Sequence, residues 1–261
     1  MKPLINSIKE ILKYKELLQN LTMKELKLKY RNSALGFFWS FLNPIMLLIV
    51  YTFAFKYIMH QTTPNYTVTL LAALLPWQFF QGAVQGSTTS IISNSNLIKK
   101  IYFPRQIMPL SIIFSNFVSF LITLVILFGA MIVSQVPFSF TILLLPIILL
   151  LLLVFSVGLS LILSSLNVLY RDVSHFVEVL FMLWFYLTPI VYVLDRIPIL
   201  YKNILLINPM TMIVECIRSV LLEGKMPNPF YIVVILVWDI VLLYVGDRIF
   251  RKIENDFAEE V

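Results

Sequence analysis

Charge is what this sequence has least of. Only 13% of its 261 residues are Asp, Glu, Lys or Arg, while 59% are hydrophobic; a soluble domain carries about 25% charged residues. A water-soluble fold cannot hide that much apolar surface. Cys216 is the single cysteine, which excludes an intramolecular disulfide and a cysteine-rich metal site and reads as a small apolar residue. The seven glycines are scattered and form no GxxxxGK[ST] phosphate loop, so no nucleotide site is expected in this chain. Its two histidines, His60 and His175, make no HExxH pair, and there is no GxSxG elbow. No catalytic residue and no metal ligand is predicted.

The apolar residues run from Phe37 to Phe250 with short interruptions. Six stretches are long enough to cross roughly 30 Å of hydrocarbon: 37–59, 70–92, 107–133, 142–163, 176–192 and 230–250, the fifth barely. The predicted class is therefore an all-α integral membrane protein with six transmembrane helices. A cytoplasmic amphipathic region over 1–36, a membrane domain over 37–250 and a cytoplasmic tail over 251–261 complete the organisation. The first apolar stretch is a full span rather than a cleavable leader, so the N-terminus is expected to be retained.

The formal charge of +6 does not point to nucleic acid, because the basic residues flank spans instead of forming a stripe with exposed aromatics. Fifteen Lys/Arg fall on the side of the termini and four on the other, which predicts cytoplasmic termini. Lys56 is placed to snorkel. Leu4, Ile5, Ile8, Ile11 and Leu12 recur at helical spacing among lysines, as in a helix lying on a lipid or protein surface. Thr22 and Glu25 match a capping box, with Leu21 and Leu26 as a staple, predicting a break at Asn20 and a second helix over 23–31. On it Lys24, Lys27 and Arg31 are candidates for meeting anionic headgroups. Between the fifth and sixth spans, 204–207 and 210–222 are apolar but too short to cross, and read as short re-entrant helices or as a hairpin resting on the membrane. Glu215 and Arg218, three apart, are placed to pair. Gly82 and Gly86 form a GxxxG step suited to close helix packing.

Two carboxylates lie in spans, Glu178 and Asp239. Asp239, near mid-membrane, reads first as a structural residue paired with a neighbouring helix and second as an ion or proton site. Aromatic side chains form a more coherent pattern: Phe37, Phe41, Tyr51 and Phe55 share a face of the first span, and Phe181, Phe185 and Tyr192 repeat the arrangement on the fifth. Such faces can carry sugar rings, contact lipid or pack the core.

The stretches KLKYRNSALGFFWSFLNP at 27–44, LIKKIYFPR at 97–105, LYRDV at 169–173, and LTPI at 187–190 with NPM at 208–210 stand out along the chain. Together they resemble the membrane subunits of ABC transporters that export O-antigen, capsular polysaccharide or wall teichoic acid. The resemblance implies a type-2 ABC exporter membrane domain, a homodimer joined to two cytoplasmic ATPase copies, and a lipid-linked polysaccharide substrate, O-antigen first among the options. It further implies a channel bordered by the first and fifth helices, and ATPase contact through Asn96, Lys99, Lys100 and Tyr102. ATP and Mg are expected in the partner, and no cofactor in this chain. Competing classes are an ion-coupled carrier, which calls for repeats and a polar midplane site, and a membrane-embedded transferase, which calls for clustered acids.

Overall fold

The computed structural model describes residues 2–31, 33, 36–58, 60, 63–254 and 257. The chain begins with two helices, α1 (Lys2–Lys13) and α2 (Lys15–Tyr30). The break falls at Tyr14, not at Asn20. Thr22 lies inside α2, where its Oγ1 donates to the Leu18 carbonyl at 2.7 Å instead of capping a new helix. Burial explains the difference: Leu21 packs with Ile91, Ile107 and Met108, with Leu17 and Leu18 against the same cluster, so tertiary contact keeps the helix running through a local stop signal.

The first span is α3 (Trp39–Tyr51), continued by a wider π-type turn over Thr52–Ile58. The second, α4 (Tyr66–Thr88), starts after Asn65 turns the chain with φ 48° and ends four residues before the expected limit. Short helices α5 (Ser90–Ser93) and α6 (Ser95–Lys100) lead into α7 (Ile107–Val133). Then follow α8 (Leu145–Leu169), α9 (Val173–Tyr186), α10 (Ile199–Leu205), α11 (Pro209–Arg218) and α12 (Pro229–Ile253). Among the described residues, five helical segments are long and apolar enough to cross a membrane, or six if one bent pair counts as a span.

The fifth expected span is shorter than the sequence suggested. Fourteen residues of α9 reach about 21 Å at 1.5 Å each, short of the roughly 30 Å hydrocarbon thickness. Past Tyr186 the chain leaves the helix while Thr188, Pro189, Ile190 and Val191 stay buried. Irregular backbone inside a membrane protein requires partners for its carbonyls. Arg218 supplies them: its guanidinium donates to the carbonyls of Ile190 at 3.1 Å, Tyr192 at 3.2 Å and Thr69 at 3.3 Å, and pairs with Glu215 at 3.2 Å as the spacing predicted. Tyr66 Oη donates to the Val191 carbonyl at 3.1 Å. Asn208 then ties the ends of α9 and α11 together, accepting from Trp184 Nε1 at 2.9 Å and donating to the Leu187 carbonyl at 3.3 Å. The α10 segment meets the helix over Pro209–Glu223 at 105°, a re-entrant bend held by these polar clamps.

Helix α4 is the centre of the bundle, with 78% of its span buried. Trp77 and Phe80 meet Phe155 of α8 and Phe181 and Trp184 of α9 in one aromatic cluster. The GxxxG step receives α7: a Cβ on Gly86 would stand 2.9 Å from Ile112 and one on Gly82 3.2 Å from Asn116. A closer approach joins α8 and α12. There a Cβ on Gly158 would lie 2.7 Å from Leu242 Cβ, and one on Gly246 would lie 2.7 Å from the Gly158 carbonyl oxygen. At the α5–α6 end, Leu21, Ile98, Phe103, Phe250 and Phe257 form a second, smaller core. Ser7 on α1 contacts both Asp247 and Arg251 on α12, and Gln106 donates to Asp247 at 3.0 Å, so the N-terminal helix is anchored to the last one.

Candidate functional site: an aromatic face, a protruding hairpin and a polar cavity

Two helices are left nearly bare by the fold. Only 6% of the first span is buried, and on α9 only Val177 and Phe181 are. They meet where Tyr51 stacks on Phe185, ring centroids 6.1 Å apart at 28°, with Phe55 at 6.3 Å from Tyr51. The predicted aromatic face therefore divides. Tyr51, Phe55 and Phe185 come together, and Phe41 is half-buried further along α3. Tyr192 sits beyond the end of α9 with its hydroxyl donating to the Tyr186 carbonyl at 2.9 Å. Phe181 is corrected from the candidate pathway to the core: it is fully buried against Trp77, Phe80 and Trp184, because the opposite side of α9 must cover α4. The side chain of Phe37 lies outside the described part of the structure.

Residues 96–102 form a protrusion at the end of the bundle. Ile98 and Phe103 are buried beneath it, whereas Asn96, Lys99 and Lys100 are exposed and Tyr102 is 94% exposed. The ring of Tyr102 projects between the two buried residues, Ile98 and Phe103, that anchor the segment. On the flank of α2, Lys24, Lys27 and Arg31 line a shallow groove of about 500 Å³ with Asn20, Met23 and Leu28. Lys24 Nζ also donates to Asn94 at 3.3 Å, linking this helix to the protrusion.

A larger cavity was missed by the sequence reading. It has a volume of about 700 Å³ and lies between α2, α3, α4 and α7. Its walls carry Gln78, Gln81 and Gln85 of α4, Asn116, Ser119 and Thr123 of α7, Asn43 of α3, and Lys29 of α2. The three glutamines repeat at i, i+3 and i+7, a visible stripe in an otherwise apolar span.

The intramembrane acids part company. Glu178 is exposed on α9. Asp239 is 2% exposed, on the α12 stripe with Ile235 and Gly246, but the expected partner on a neighbouring helix is not there: neither carboxylate oxygen has a hydrogen bond among the described residues. No three His, Cys, Asp or Glu side chains among the described residues come close enough to hold a metal ion.

A bundle of apolar helices around a central α4, with an N-terminal helix pair at one end and a re-entrant bend at the other, defines a multi-pass membrane protein. The ABC-2 type transporter family model matches residues 16–222, and the chain belongs to that family. It is 33% identical over 261 residues to the O-antigen export system permease protein RfbA of Myxococcus xanthus, covering 99% of this chain and 100% of that one. It is 37% identical over 245 residues to the protein of the same name from Klebsiella pneumoniae, 94% of each chain. The polysialic acid transport protein KpsM of Escherichia coli is more distant, at 25% over 242 residues, 90% of this chain and 92% of its own.

Proposed function

We propose that the chain is the permease subunit of an ATP-driven exporter that moves lipid-linked O-antigen across the bacterial cytoplasmic membrane. The observation that carries this is similarity over nearly the whole chain to permeases named for O-antigen export. Two copies form the pathway and two copies of a cytoplasmic ATP-binding subunit drive it. ATP and Mg bind to that subunit, and this chain holds no cofactor of its own. Both termini face the cytoplasm, as the distribution of Lys and Arg requires. The protrusion with Asn96, Lys99, Lys100 and Tyr102 docks on the ATPase, while Lys24, Lys27 and Arg31 rest on anionic lipid. Phe41, Tyr51, Phe55, Phe185 and Tyr192, half-buried on α3, α9 and the segment after α9, border the channel; rings give the glycan flat apolar surfaces and few deep minima. The test is genetic: deleting the gene in its native host is expected to remove O-antigen from the surface and accumulate it inside. Loss of capsule with normal O-antigen supports the second reading, a capsule exporter, favoured by the likeness to the polysialic acid transporter.

A further inference from the structure

We infer that the cavity between α2, α3, α4 and α7 is a headgroup site, which takes the first sugars and adjoining phosphate of a lipid-linked saccharide while its lipid stays in the bilayer. This rests on the export reading above and names where the cargo is first held. Depth is the first observation. Gln85 lies three residues from the end of α4 and Gln78 ten, which places the amide stripe about 5 to 15 Å inside that end at 1.5 Å per residue. The cavity thus occupies the half of the membrane adjoining the interface helix. Its flank by α2 and α3 is open, with Lys29, Trp39 and Asn43 all exposed.

Unsatisfied polarity is the second. Gln78, Gln81 and Gln85 are each half-buried and make no hydrogen bond with any described residue. Uncompensated amides at this depth are costly, and in membrane proteins they persist where they line a wet or ligand-filled space. Each amide offers a carbonyl acceptor and two N–H donors, the pairing that adjacent ring hydroxyls require. Ser119 and Thr123 spend their hydroxyls on their own helix, so the reading falls to the glutamines and to Asn43.

Charge and shape narrow the occupant. Among the described lining residues there is no carboxylate, and Lys29 is the one ionised side chain, with Nζ 3.4 Å from Asn116 Oδ1, which lies beside Gly82 in the glutamine stripe. One cation among neutral amides suits an anionic phosphate joined to an uncharged sugar. Trp39, 48% exposed beside the opening, offers a ring for a sugar face. The volume of about 700 Å³ falls within the roughly 300–1,000 Å³ of small-molecule sites, enough for a short saccharide and too small for a polymer. Phe79 and Phe120, stacked at 5.3 Å, close the inner wall.

The experiment uses the assembled transporter in phosphatidylcholine nanodiscs and a polyprenyl diphosphate carrying a short, diazirine-tagged saccharide. Wild type should be crosslinked on α4 or α7, and a sugarless polyprenyl diphosphate should compete about tenfold less well than an untagged saccharide lipid. The same saccharide free in solution should not compete. Combining Gln81→Leu with Gln85→Leu should weaken capture of the saccharide lipid by about tenfold or more, through the loss of two hydrogen bonds, and abolish the preference over the sugarless lipid. Should that variant fail to assemble, Gln81→Asn, which keeps the amide but shortens its reach, should still lower capture severalfold. Wild-type capture by the leucine variant, or by Gln81→Asn where that stands in for it, overturns the headgroup site. Equal competition by the sugarless lipid in wild type overturns it too, in favour of a phosphate or lipid site, and crosslinks confined to α9 and to the Tyr51–Phe55 end of the first span place the sugars elsewhere; each leaves the export reading standing. Failure of wild type to capture the saccharide lipid anywhere removes both.

Discussion

Replacing Gly158 by alanine adds one methyl group to the close crossing of α8 and α12. That methyl would sit 2.7 Å from Leu242 Cβ and 2.9 Å from both the Leu242 carbonyl carbon and the Leu243 nitrogen. Two of the three neighbours are backbone, so α12 must move as a body. Overpacking of this kind costs about 1–3 kcal/mol. Against it stands the helix-forming gain of alanine over glycine, about 0.5–1 kcal/mol. The net expectation is about 1–2 kcal/mol of destabilisation, an apparent Tm lowered by roughly 2–8 °C for a chain of this size. The control is Gly129→Ala, where a Cβ meets nothing within 4 Å and only the helix gain remains. Thermal unfolding of the purified subunit, followed by Cys216 accessibility, compares the two, since Cys216 is buried in the main core. Equal melting temperatures for Gly158→Ala and Gly129→Ala refute the reasoning.

Three further outcomes are expected. Arg218→Leu strands three backbone carbonyls and Glu215, so stability should fall by about 3 kcal/mol or more, and adding Glu215→Leu should recover part of the loss in a thermal melt; no effect of the single change would show that other groups hold the re-entrant bend. Removal of residues 96–102 should leave the bundle inserted but uncouple it from the ATPase, measured by co-purification and by ATP turnover; full coupling of the shortened chain would release the protrusion from that role. In a Cys216→Ala background, cysteines at Thr63 and Ser139 should react with an impermeant thiol reagent outside intact cells and one at Ser95 should not, and labelling at Ser95 alone would invert the topology.

Much of the architecture is carried by patterns a single segment can display. Apolar run length located five of the six expected membrane helices, and the three-residue spacing of Glu215 and Arg218 marked an ion pair that forms at 3.2 Å. What escaped depends on segments far apart in the chain. The capping box at Thr22 is a sound local signal, overridden because Leu21 finds a core supplied by α5 and α7. The early end of α9 is legible only once Arg218, 28 residues beyond Ile190, is seen to satisfy the freed carbonyl. Phe181 and Phe185 share one helical face by spacing, yet one ring is in the core and the other stacks on Tyr51, a division set by how α9 lies on α4. Gly158 and Gly246 are 88 positions apart and form no motif until folding brings them together. The glutamine stripe was visible, but without the walls from α2, α3 and α7 it could not be read as a cavity.

The most direct test of the account is vectorial transport in proteoliposomes that hold this chain, its ATP-binding partner and a lipid-linked O-antigen. Added ATP is expected to bring glycan to the face opposite the ATPase, and no glycan should appear there when the permease, the partner or ATP is left out. Glycan crossing at the same rate without ATP or without the partner, or ATP turnover that never moves glycan, would contradict it.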